Sequence, residues 1–145
     1  MHPEMGHVYP RKHPHDMNFR GVCPFHGDCM EGVAAGPAII ARSGAPLSDL
    51  GADHPQWDIE AYYLGQLCAQ LVAIVSPQRI VMGGGVMAQE RLFPCIRKRM
   101  LHWLGGYIER SELLVDSDRY IVPPALGARA GVLGGIGLAI DAAAP

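Results

Sequence analysis

HVYPRKHPHDMNFRGVCPFHGDCME, from His7 to Glu31, packs Cys23, His26 and Cys29 into one short loop and leaves His7 upstream of it. The run Cys-Pro-Phe-His-Gly-Asp-Cys is a tight knuckle able to offer three ligands to one small ion. Zinc is held tetrahedrally by cysteine sulfur and histidine nitrogen, and closed structural sites use four protein ligands. A fourth ligand distant in sequence would staple a long loop onto the body of the fold, and His7 is the candidate for it. On chemistry alone His2, His13 and His15 compete for that place. The plain alternative is a histidine-rich surface loop with two free cysteines.

A chain of 145 residues, 49% of them hydrophobic, predicts one domain with a core of its own. The formal net charge of -2 leaves no electrostatic footprint for nucleic acid. No charged segment followed by an apolar run opens the chain, and no apolar stretch is long enough to span a bilayer. A soluble cytoplasmic protein with no membrane contact is the expectation. Four cysteines could make two disulfides in an exported chain, but Cys-x-x-His-x-x-Cys in a reducing compartment reads better as a metal site. Cys68 and Cys95 fall inside helical patterns and are expected to be buried.

Glu4 to Tyr9 reads as the end of a strand. The Pro-, Gly- and His-rich loop through Phe25 has little to order it without a metal. A helix is expected near Cys29 with Met30, Val33 and Ala34 inward, and Pro37 opens a second one through Arg42. Ala45 to Pro55 is turn-rich and reads as a surface connection. Trp57 to Val75 is the clearest helix, with Leu64, Leu67, Cys68, Leu71, Val72 and Val75 as one apolar stripe. Ser76-Pro77 stops it.

Arg79 to Met82 then reads as a short, wholly buried parallel strand ending in Gly83-Gly84-Gly85. A broken helix from Met87 restarts at Pro94, with Leu92, Cys95, Ile96 and Trp103 inward. Tyr120 to Val122 is a second strand, and Gly127 to Ala143 a closing helix of Gly and Ala that packs its backbone closely in a core. Strands alternating with helices indicate α/β layers with parallel strands.

Gly83-Gly84-Gly85 at a strand-to-helix turn lets the backbone approach something flat or charged. Read alone it is a tight turn: no Gly-Lys-Ser/Thr follows, and it is not Gly-x-Gly-x-x-Gly. Glu4 and Glu31 lie close in sequence to presumed metal ligands, Glu4 before His7 and Glu31 after Cys29. Such carboxylates can each accept hydrogen bonds from two hydroxyls, which suits a sugar ring. The bland reading of each is a solvated acid near a loop.

Glu4-Met-Gly-His7, Cys23-Pro-Phe-His26-Gly-Asp-Cys29-Met-Glu31-Gly32 and Ala35-Gly-Pro-Ala38 resemble the zinc and sugar-binding segment of ROK-family kinases, the fructokinase branch in particular. Val81-Met-Gly-Gly-Gly-Val is similar to that family's adenosine-binding motif, and Pro124-Ala-Leu-Gly127-Ala-Arg-Ala-Gly131 to its C-terminal signature helix. The resemblance implies the large α/β portion of a ribonuclease H-like fold, of the actin-like ATPase and hexokinase superfamily. It assigns a zinc-stapled loop to residues 7–31 and an adenosine-side segment to residues 57–143. It further implies structural zinc on His7, Cys23, His26 and Cys29, sugar contacts from Glu4, His7 and Glu31, and adenosine at Gly83, Gly84 and Gly85. ATP with Mg²⁺, a hexose such as fructose, and a homodimer come with the same resemblance.

The chain departs from the family at the catalytic step. Those kinases use the Asp of an Asn-Asp pair as base, and here the single Asn, Asn18, precedes Phe19. They hold phosphates with Gly-Thr loops, and this sequence contains no threonine. The base and the phosphate-binding half are therefore expected upstream of Met1, and the chain alone is expected to be inactive. A zinc-stabilised sugar-binding or sugar-sensing module, like the family's repressors, is the alternative.

Overall fold

Twenty residues from Gln56 to Val75 form the helix on which most of the protein is built, α3, preceded by α1 (Met30–Ala34) and α2 (Gly36–Ser43). The computed structural model describes residues 3–144. Pro55 precedes α3, and Ser76 ends it in the left-handed conformation before Pro77 excludes another turn.

Helix α3 does not present the single stripe read from its leucines. Ile59, Tyr62 and Tyr63 pack against Met30, Val33 and Ala34 of α1. Ala61, Cys68, Ala69 and Val72 belong instead to the core shared with α4 (Leu92–Leu104). Leu64, Leu67 and Leu71 are only half-buried, and Val75 is exposed. Small residues make the closest helix contact, so the bulky ones that dominate the periodicity lie beside it. Gly65 decides the spacing. A Cβ there would sit 3.0 Å from the Ile96 carbonyl oxygen and closer still to the Arg99 Cβ. Leu92, Ile96 and Met100 are fully buried, each contributing about 1.5–3 kcal/mol of apolar burial.

Two strands of two residues, β1 (Ile80–Val81) and β2 (Ile121–Val122), pair in parallel with Ile80 opposite Ile121. Between them run α4 and two single-turn helices, α5 (Ser111–Leu114) and α6 (Ser117–Tyr120). Ile80 and Ile121 point into the α3–α4 core, but Val81 is 59% exposed, so β1 is covered on one face only and is not the wholly buried strand expected. A 3-10 turn at Val86–Ala88 precedes α4, and Pro94 falls in the first turn of that helix, where a missing N–H costs nothing. Cys95, expected inward, is exposed because the inward positions of α4 are Leu92, Phe93, Ile96 and Met100.

The last helix, α7 (Ala130–Ala143), differs most from expectation. No described side chain on it is buried, and a Cβ at Gly131, Gly134, Gly135 or Gly137 would meet nothing. Its glycines therefore serve no close packing within this chain. Among the described residues no helix is long and apolar enough to cross a membrane.

Candidate metal centre

The knuckle closes on itself through its backbone. Cys23 N–H donates to the Gly27 carbonyl at 3.1 Å and Gly27 N–H to the Cys23 carbonyl at 2.9 Å. Gly32 lets α1 begin directly behind this turn, since a Cβ at that position would strike the Gly27 carbonyl oxygen. Upstream, the expected strand from Glu4 to Tyr9 is a 3-10 turn at Met5–His7, closed by His7 N–H on the Glu4 carbonyl at 3.0 Å. No neighbouring strand pairs with it among the described residues. Met30 N–H then donates to the Val8 carbonyl at 2.8 Å, which fastens the His7 segment to the start of α1.

These local contacts converge four ligand atoms. One atom each from His7, Cys23, His26 and Cys29 lies within 4.8 Å of the others. His7 Nδ1 stands 3.6 Å from Cys29 Sγ, 3.9 Å from Cys23 Sγ and 3.3 Å from His26 Nδ1, and Cys23 Sγ stands 3.8 Å from His26 Nδ1. A tetrahedron built with zinc's bond lengths to nitrogen and sulfur has edges of about 3.3–3.8 Å. The donor set fits a zinc-sized ion. His13 is engaged elsewhere: its Nδ1 accepts from His15 N–H at 3.1 Å, and its Nε2 faces Asp58 at 3.3 Å. His2 lies outside the described residues.

The two thiols are not equivalent. Backbone hydrogen bonds, His26 N–H foremost, pull Cys23 below the ordinary thiol range, whereas burial pushes Cys29 up. A cation held between them would supply the charge that lets both be thiolates.

His7 also joins the centre to an acid. Its Nε2, away from the sulfurs, lies 3.3 Å from Glu31 Oε2, and a Cβ at Gly6 would be 3.9 Å from that same oxygen. The Glu31 side chain remains 55% exposed. Glu4, at the head of the same turn, is exposed as well.

Gly83, Gly84 and Gly85 are exposed at the end of β1, remote in the chain from the knuckle. Gly84 takes φ +95°, and Gly83 backs onto Pro124, which a Cβ would approach to 3.2 Å. Gly85 and Val86 line a cavity of about 410 Å³ with Gly36, Ile39 and Ile40 of α2 and Leu47 beyond it.

The loop before the knuckle has protein contacts of its own beside the candidate metal ligands. Asp16 is buried and accepts from Arg42 Nε at 2.8 Å and from the Tyr63 hydroxyl at 2.7 Å. Arg42 Nη2 donates to the Val33 carbonyl at 2.8 Å, and its guanidinium lies 4.2 Å from the centre of the Phe19 ring. Gln66 brackets Arg11, accepting its N–H at 2.7 Å and donating to its carbonyl at 3.1 Å. Lys12 Nζ meets Asp28 at 2.9 Å inside the knuckle. The sequence offered no periodic signal for this network, because its acid sits in the loop and its partners on α2 and α3.

The ROK family model matches residues 1–142. The chain belongs to the ROK family. A Bacillus subtilis relative is 47% identical over 141 residues, which cover 97% of this chain and 47% of the relative. Two proteins named fructokinase, from Pediococcus pentosaceus and Zymomonas mobilis, are 42% and 40% identical, covering 95% and 97% of this chain and 46% of each relative. The chain thus spans about half the length of the ROK relatives it matches.

Among solved structures, the ROK hexokinase of Thermus thermophilus superposes with a TM-score of 0.62 over 90% of this chain and 45% of that one, at 23% identity. A structure from Cytophaga hutchinsonii gives 0.56 at 19% identity, over 85% of this chain and 48% of that one. The α/β architecture is therefore the actin-like, ribonuclease H-like ROK fold over the matched portion.

Proposed function

We propose that this chain is the zinc- and sugar-binding portion of a ROK fructokinase. One observation carries the reading: His7 turns one ring nitrogen to the cysteines and the other to Glu31. His7, Cys23, His26 and Cys29 would hold zinc, which supplies a fixed charge that sets the tautomer and angle of the His7 ring. His7 Nε2, Glu31 and Glu4 then face a hexose, with the carboxylates accepting from its hydroxyls. Names of relatives support fructose as that hexose.

Adenosine would sit at the Gly83-Gly84-Gly85 turn, where Gly85 and Val86 border a cavity walled largely by Ile39, Ile40 and Leu47. ATP with Mg²⁺ is the donor in the complete enzyme, a cytoplasmic homodimer in this reading. The chain contains no Asn-Asp pair and no threonine, so by itself it binds sugar and does not transfer phosphate. Calorimetric titration of fructose and of a non-hydrolysable ATP analogue into zinc-loaded and chelated protein is the test. Three sugar contacts weakened together, each worth about 1.5–3 kcal/mol, lower fructose affinity by several powers of ten on chelation. Nucleotide affinity stays level. Fructose binding that ignores the chelator overturns the reading.

A further inference from the structure

Lys12 stands between α3 and the knuckle. Its ammonium donates to the Phe19 carbonyl at 2.7 Å and pairs with Asp28 at 2.9 Å. The backbone of Lys12 belongs to a segment that α3 holds at three positions. Tyr62 donates its hydroxyl to the Lys12 carbonyl at 3.2 Å, Gln66 brackets Arg11, and His13 N–H donates to the Tyr63 hydroxyl at 3.2 Å. Asp28 is confined from a second direction. A Cβ at Gly21 would fall 2.6 Å from the Asp28 Cα, so the loop passes directly against the knuckle there.

The ligands of the knuckle stand on two different supports. Paired backbone hydrogen bonds between Cys23 and Gly27 close the turn that carries Cys23 and His26. Cys29 is the N-cap residue of α1, with Val33 N–H on its carbonyl at 3.0 Å. Asp28 is the single residue joining that turn to that helix. We propose that Lys12 is a positioning residue for the metal centre. By holding the joint at Asp28, it keeps the Cys23–His26 turn and Cys29 at ligand spacing before a zinc-sized ion arrives. The inference rests on the metal reading of the knuckle and is independent of the sugar.

Charge alone predicts a different sign. Two neutral thiols release two protons when Zn²⁺ binds, which leaves the net charge of the centre unchanged. Where Cys23 is already a thiolate, binding adds positive charge and a neighbouring ammonium opposes it. On charge alone, removing Lys12 leaves zinc affinity level or raises it. Removing a positioning contact lowers it.

Zinc dissociation constants of the reduced, metal-free chain, measured by competition with a chromophoric chelator, decide between the two. Lys12→Met should weaken zinc binding about tenfold or more, as for other groups that orient metal ligands. Asp28→Asn should do the same. The double variant should bind within about twofold of either single one, because all three lose one shared contact. Lys12→Arg keeps a cation able to donate to both partners and should restore wild-type affinity. The pair is partly exposed, with side chains at 22% and 35%, so the thermal midpoint of the metal-free chain should hardly move. Lys12→Gln, which keeps a donor for the Phe19 carbonyl, repeats the measurement should Lys12→Met lose its fold.

Zinc affinity in Lys12→Met that matches or exceeds wild type overturns the proposal. Losses that add in the double variant, or Lys12→Arg no better than Lys12→Met, do the same. A wild-type chain that takes up no zinc overturns the metal centre itself. That result is distinct from a wild type that binds zinc no better than Lys12→Met, which removes only the role of Lys12.

Discussion

Arg42 and Asp16 meet inside the protein, Nε to Oδ1 at 2.8 Å, with side chains only 10% and 3% exposed. The pair ties the loop before the knuckle to α2, and Tyr63 adds α3 to the same carboxylate. Removing one partner leaves a buried charge alone, at a cost of about 3–5 kcal/mol. Arg42→Ala and Asp16→Ala should each lose stability of that order in urea denaturation. Arg42→Met with Asp16→Leu should recover most of it.

Metal content should follow the knuckle and not the neighbouring histidines. Cys23→Ser, Cys29→Ser and His7→Ala should each reduce zinc per chain, measured by elemental analysis after dialysis. His13→Ala should keep it, because His13 faces Asp58 and the His15 backbone. Equal zinc in wild type and both cysteine variants would remove the site.

Glu60 gives a pH signature. It is fully buried, with no hydrogen-bond partner for either oxygen among the described residues, and burial raises its carboxyl well above the ordinary range. The folded state therefore holds a proton that the unfolded state has released. Stability from this group is complete below the ordinary carboxylate pKa and is lost as pH rises through the raised folded value. Glu60→Gln cannot ionise, so its stability relative to wild type should grow as pH rises above the usual carboxylate range. A gap independent of pH would mean Glu60 is not held neutral.

Gly65 sets the distance between α3 and α4. Gly65→Ala should cost about 1–3 kcal/mol through overpacking against Arg99 and Ile96, read as a lowered denaturation midpoint. Gly134→Ala, where a Cβ meets nothing, should not destabilise.

Catalytic silence is the fifth expectation. A coupled ADP-release assay with fructose, ATP and Mg²⁺ should show no turnover by this chain. Rates of about 1–100 s⁻¹, usual for kinases, would mean another residue here supplies the base.

The legible parts of this fold were those with short-range signatures. The spacing from Cys23 to Cys29 announced the knuckle, Pro37 opened α2, and the apolar run to Val75 marked α3 to within a residue. His7 was the candidate over His2, His13 and His15 in the sequence, and the turn at Met5–His7 with its tie to α1 is what brings it to the knuckle. Sequence proximity placed Glu31 beside Cys29, but its approach to His7 Nε2 was not legible. The Asp16–Arg42–Tyr63 junction was invisible because three separate segments contribute one residue each. Exposure of α7 could not be read at all, since an apolar helix looks the same whether its partner is present or not.

Ile80 pairs with Ile121 across a separation of 41 residues, 121 minus 80, for a ladder only two residues long. Closing so long a loop costs entropy that a pair of backbone hydrogen bonds cannot offset early in the reaction. Helices α3 and α4 are separated by 16 residues, from Ser76 to Arg91, and share most of the core. Order of assembly follows from that difference. The helical pair should form the nucleus, with the two strands coming together late, once α4 has delivered β2 to its place. Substitutions at Ile96 or Met100 should therefore slow refolding, while those at Val122 should chiefly hasten unfolding.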